Sequence, residues 1–216
     1  MSESKTGTKS TELRRLRLFS TKELALISVL SSLWIVSEIY LGPVISQITH
    51  IHGVIQRVFG WFLMLTLARL TGRFGRVTVM AAIASSVTRI IRPGRIYALF
   101  VGFGYALGGL IFDLLYFFPI AKNLKGGTER MYLLGISTLS GAIALIPYLL
   151  FQISVLGLNG FLIWILFPFN IYNMVENVAL NVLGTSIAIS ALPQIDVWAL
   201  KVRDSLDKTA KNTLRT

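Results

Sequence analysis

The chain has 216 residues, of which 54% are hydrophobic and only 14% charged, and its formal net charge is +11. A soluble domain of this length carries roughly 25% charged residues, so this composition, with a mean hydropathy of +0.67, excludes an ordinary soluble protein and identifies an integral membrane protein. The absence of cysteine excludes disulfides and thiolate chemistry, and the basic surplus is read as membrane topology rather than as a nucleic-acid footprint.

Residues 1–20 form a polar, basic tail, with no small-residue cleavage site after a short apolar core. Ser20 and Glu23 have the spacing of a capping box, which starts a helix near Thr21. The first span covers 21–42 and stops at Gly42-Pro43. A polar stretch, 46–53, holds His50 and His52. The second span is 54–70, and the glycine-bearing turn at 71–76 leads into the third, 76–92. Arg92-Pro93-Gly94-Arg95 is a turn signal. The fourth span is 96–120, a polar loop with Lys122 follows, and the fifth is 131–156, kinked at Pro147. Residues 161–192 exceed the roughly 20 needed for one straight span, and Pro168 divides a short lead-in segment from the last helix. Residues 194–216 are a basic tail, either solvated or a surface helix with Ile195, Trp198, Val202 and Leu206 on one apolar face. The fold class is therefore an all-α integral membrane protein, a bundle of six transmembrane helices.

With the N-terminus inside, 17 of the 21 Lys and Arg fall on the cytoplasmic side, and Arg57, Arg89, Arg92 and Arg95 fall outside. The positive-inside rule thus places both termini in the cytoplasm of a multi-pass protein of the cell membrane.

The last helix is apolar yet patterned. Asn170, Asn173, Asn177 and Asn181 recur at helical spacing, with Glu176 beside them. Amides and a carboxylate at bilayer depth are costly unless they face a partner or a wet cavity, so this stripe is read as one wall of a pocket for a small polar molecule. The orientation brings Glu38, Arg57, Trp61, Arg89 and Tyr105 to the same outer end. The candidate ligand-binding set is Asn170, Asn173, Glu176, Asn177, Glu38, Arg57, Trp61, Arg89 and Tyr105, with Glu38 alternatively pairing with Arg57 or Arg89. Arg89 and Arg92 would favour a ligand bearing a carboxylate or phosphate. Trp164 and Tyr148 are read as interface or packing aromatics. Asp113 lies deeper toward the cytoplasm, open to a structural or a coupling role.

Catalytic and cofactor signals are lacking. Two histidines on a loop do not make a metal site, and no nucleophile turn, zinc helix motif or P-loop occurs. No enzyme activity, metal or cofactor is expected, and energy for transport would come from a coupled ion or from other subunits.

Six short helices in about 200 residues, basic inner loops and an outer pocket resemble the substrate-binding S component of energy-coupling factor (ECF) vitamin transporters. Ala25, Ser28 and Ser32 on one face of the first helix are similar to the family's small-residue docking motif. The turn TGRFGRVTVMAAIA resembles its link between helices 2 and 3, and FPFN…N…EN looks like its polar last helix. The resemblance implies a T component docking on Ala25, Ser28 and Ser32, two ABC ATPase subunits as the energy source, a vitamin-like ligand, and a 46–53 loop that closes over it. Two other readings stand beside it. One is a stand-alone proton-coupled permease using Asp113 or Glu176. The other is a membrane enzyme acting on a lipid-linked substrate.

Overall fold

The capping box forms as the spacing predicts. The Ser20 Oγ accepts from the Glu23 N–H at 3.2 Å and a Glu23 carboxylate oxygen accepts from the Ser20 N–H at 2.8 Å, opening helix α1 (Thr21–Val36). The computed structural model describes residues 19–51, 53–92, 96–119 and 124–215, with side chains described as far as residue 204. The tail before residue 19, His52, the 93–95 turn and Lys122 lie outside the described residues. Gly42-Pro43 does not stop the first helix. A π-helical turn (Ser37–Leu41) follows α1 directly, and Pro43 falls in the first turn of α2 (Gly42–Thr49), where a missing N–H costs nothing. The first span therefore extends to Thr49 instead of ending at 42.

The chain continues as α3 (Val54–Thr71), α4 (Arg76–Ile91), α5 (Tyr97–Tyr116), α6 (Gly127–Ile143), α7 (Ile146–Leu166), α8 (Pro168–Ser190) and α9 (Leu192–Arg215). Every element among the described residues is helical. Helix α3 is the axis of the fold and touches α1, α2, α4, α5, α8 and α9. Its Trp61, Met64, Leu65, Leu67 and Ala68 are buried, and they share one core with Trp34, Met80 and Phe112. The turn between α3 and α4 uses left-handed glycines at both ends, Gly72 (φ 61°) and Gly75 (φ 87°).

Four helical stretches are long and apolar enough to cross a membrane, Thr21–Thr49, Val54–Thr71, Tyr97–Tyr116 and Gly127–Leu166. A fifth is added if α8 and the following helix, bent by 69° against each other, count as one. This marks a membrane-embedded protein. The predicted third span falls outside this set because α4 has only 16 residues, about 24 Å of rise against a hydrocarbon core near 30 Å.

Two regions differ from the sequence expectation. The fifth element is not one helix kinked at Pro147. Helix α6 ends at Ile143, and Pro147 sits in the first turn of α7. Helix α7 itself is broken at Gly157 (φ 67°, ψ 170°). Tyr148 and Trp164 are 16 positions apart, which a straight helix would separate by about 24 Å. Their ring centroids are 6.1 Å apart, so α7 doubles back at Gly157 as a helical hairpin. The second difference lies in the C-terminal region, where the surface helix forms over residues 194–204 but packs without Trp198. Leu192, Ile195 and Ala199 of α9 are buried, while Trp198 is 65% exposed and lies under Lys201. Trp198 is thus not on the packed face. Arg69 of α3 holds Glu129 and, at 3.7 Å, Asp196, and Arg203 donates to the Arg69 carbonyl.

Candidate functional site

Helix α8 is rooted in the core by its second half. Asn181, Gly184, Thr185, Ala188 and Ile189 are buried, and Thr185 donates to the Ser137 Oγ at 2.6 Å. Gly184 lets α8 lie directly on α3. A Cβ there would stand 2.1 Å from the Val58 carbonyl oxygen, so only a glycine permits this approach. The anchoring fixes the rotation of α8 and turns its asparagine stripe toward a cavity of about 660 Å³, a size typical of small-molecule sites.

Asn170, Asn173, Glu176, Asn177 and Asn181 all line this cavity. Facing them are Arg57 of α3 and Tyr97 and Tyr105 of α5, and the Thr49–Ile51 end of α2 forms part of the rim. His50 closes α2 in the left-handed conformation (φ 57°). A third wall comes from the α7 hairpin, whose Tyr148 and Trp164 meet edge to face. Tyr97 meets Tyr148 the same way at 6.3 Å. These three rings form an edge-to-face aromatic cluster on the cavity lining. Sequence reading assigned Tyr148 and Trp164 to packing because nothing in their spacing reveals that the chain folds back at Gly157.

The polar groups fall into two kinds. Asn170 donates its Nδ2 to the Trp164 carbonyl at 2.7 Å, bracing the junction between α7 and α8. Asn177 donates to the Asn173 carbonyl. Among the described residues, the side chains of Asn173 and Glu176 have no hydrogen bond or ion pair within the protein. Asn181 is 4% exposed, and its Oδ1 is buried without a partner. A buried acceptor left empty costs about 1–3 kcal/mol. Arg57 and Tyr105 both line the cavity opposite α8.

Three predicted ligand residues, Glu38, Trp61 and Arg89, do not line the cavity. Trp61 is 1% exposed and packs edge to face on Phe112 in the core. Arg89 sits 3.6 Å from Glu38 and donates to the Gln56 Oε1 at 3.2 Å. The two charges neutralise each other beside the cavity, since a buried charge without a partner is far more costly than a paired one. Arg92 reaches the Ile39 carbonyl at 3.5 Å. Arg89 is therefore committed elsewhere, and Arg92 does not line the cavity.

Asp113 has a structural partner through one carboxylate oxygen, while its Oδ1 is buried without a hydrogen-bond partner. Its Oδ2 accepts from both the Thr78 N–H, at 2.8 Å, and the Thr78 Oγ1, at 2.6 Å, so it caps the first turn of α4 from a neighbouring helix. At the same end the buried Glu23 pairs with Arg76 at 3.1 Å and Arg73 at 3.3 Å. Ala25, Ser28 and Ser32 lie together on the exposed face of α1. Comparisons with family models, with curated proteins and with solved structures find no match for this chain.

Proposed function

We propose that this chain is a membrane-embedded, non-catalytic subunit that binds a vitamin or similar small polar metabolite and carries it inward. The observation that carries the reading is the cavity at one end of the bundle, lined by the asparagine stripe with Asn181 Oδ1 left unpartnered. In this reading the chain crosses the cell membrane six times with both termini cytoplasmic, and the cavity opens outward. The weak distribution of Lys and Arg around the cavity supports that orientation. Asn173, Glu176, Asn177 and Asn181 hold the ligand, and the rim at Thr49–Ile51 closes over it. Energy comes from an ECF-type T component and two ABC ATPases, the T component docking on the exposed small face of α1 at Ala25, Ser28 and Ser32.

Native mass spectrometry of the purified chain, followed by extraction, tests the proposal. A stoichiometric small polar molecule is expected, and Asn173→Ala or Glu176→Ala should weaken its binding about tenfold. A cavity that yields nothing and binds none of a vitamin panel refutes it. One observation favours a second reading, a proton-coupled permease, because Glu176 is an acid that lines the cavity without an ion pair. Uptake by vesicles holding this chain alone, driven by a pH gradient and lost in Glu176→Gln, would establish that reading.

A further inference from the structure

The cavity walls differ in hydrogen-bonding character, and the difference constrains the ligand. Asn177 spends one amide hydrogen on the Asn173 carbonyl while its Oδ1 stays free. Asn181 presents a buried, unpartnered Oδ1, and Glu176 presents two carboxylate oxygens that make no ion pair among the described residues. The α8 wall therefore presents the Glu176 carboxylate, an acceptor only when ionised, among Asn173, Asn177 and Asn181 amides that both donate and accept. Among the described lining residues the charged side chains are Glu176 on α8 and Arg57 on α3, with the His50 imidazole also on the lining. Across from the α8 wall stands the aromatic cluster of Tyr97, Tyr148 and Trp164. Aromatic faces stack on planar rings and attract cations through the ring quadrupole.

We infer that the ligand is a planar heteroaromatic ring carrying an amino or protonated ring-nitrogen group, with its donors on Glu176 and Asn181 and its ring on the α7 aromatic face. This rests on the proposed binding role and reverses the anionic ligand expected from Arg89 and Arg92. An anion would meet the Glu176 carboxylate beside the asparagines, while Arg89 is paired with Glu38 and does not line the cavity. A neutral polar molecule without a ring would leave the aromatic face unused.

Three probes of one shape separate these cases: 4-aminoquinoline, quinoline-4-carboxamide and quinoline-4-carboxylate, titrated calorimetrically into the full chain in detergent. The aminoquinoline cation is expected to bind at least tenfold more tightly than the carboxylate. Glu176→Gln should shrink that preference about tenfold, and Trp164→Leu should weaken all probes that bind. Thermal unfolding of each variant verifies that it is folded, and Glu176→Asp keeps the charge if the glutamine variant is unstable. Equal or tighter binding of the carboxylate overturns the inference, as does a cation preference that survives in Glu176→Gln. Binding of none of the three also overturns it, while the binding role itself stands or falls with the molecule extracted from the purified protein.

Discussion

Gly184→Ala is a direct test of how α8 is seated. The added methyl would lie 2.1 Å from the Val58 carbonyl oxygen, 2.8 Å from its carbon and 2.9 Å from its Cα. Comfortable carbon contacts are about 3.5–4.0 Å, and all three atoms are backbone, so no rotamer change relieves the clash. Helices α3 and α8 must move apart by about 1 Å. Overpacking of this kind costs roughly 1–3 kcal/mol, partly offset by the better helix propensity of Ala, worth up to about 1 kcal/mol. The net loss is about 1–2 kcal/mol, or a Tm lower by about 2–8 °C for a chain of this size. Thermal unfolding of the purified chain in detergent reads this, with Gly135→Ala as the internal comparison. Gly135 is also in a helix, but its Cβ would meet nothing within 4 Å, so the same substitution there should leave Tm unchanged or raise it. If the two variants unfold at the same temperature, the close approach of α3 and α8 is refuted.

Other substitutions probe the remaining assignments. Glu23→Gln leaves Arg76, whose side chain is 12% exposed, without its counter-charge and weakens the capping box. Loss of about 2–4 kcal/mol is expected, mostly through Arg76 because Arg73 is 43% exposed and screened by solvent; a double-mutant cycle with Arg76→Gln showing no coupling would refute it. Asn181→Leu removes an acceptor that has no partner in the protein, so Tm should hold or rise while ligand affinity falls at least tenfold. A large fall in Tm would instead make Asn181 a structural residue. Asn170→Ala should cost about 0.5–1.5 kcal/mol of stability through the lost bond to the Trp164 carbonyl and change affinity less than threefold; a tenfold loss would return Asn170 to the ligand.

The start of α1, the glycine turn between α3 and α4, and the helical asparagine stripe were all legible because each rests on local spacing. So was the division near Gly157, since the predicted fifth element ends at 156. What sequence did not reveal depends on distant partners. Pro43 reads as a stop, but a π-helical turn before it places it at a first helical turn, where it is tolerated. Arg89 reads as a ligand group until Glu38 and Gln56, more than thirty positions away, are found beside it. Trp61 reads as an outer aromatic, yet the rotation of α3 sends it into the core. The structural partner of Asp113 emerges only when the first turn of α4 is seen next to it. Tyr148 and Trp164 become one surface only once α7 folds back.

That fold-back also sets how the cavity is held. The asparagine wall belongs to a helix whose far half is locked in the core. The aromatic wall belongs to a hairpin in which Phe161 is the one buried residue and whose Gly157 elbow is exposed, flanked by Val155 and Leu158 at 61% and 64% exposure. One side of the cavity is thus a fixed jaw and the other a lightly tethered one. Under the proposed binding role, the fixed side would pre-organise recognition of a guest's polar part, and admission and release would fall to the hairpin.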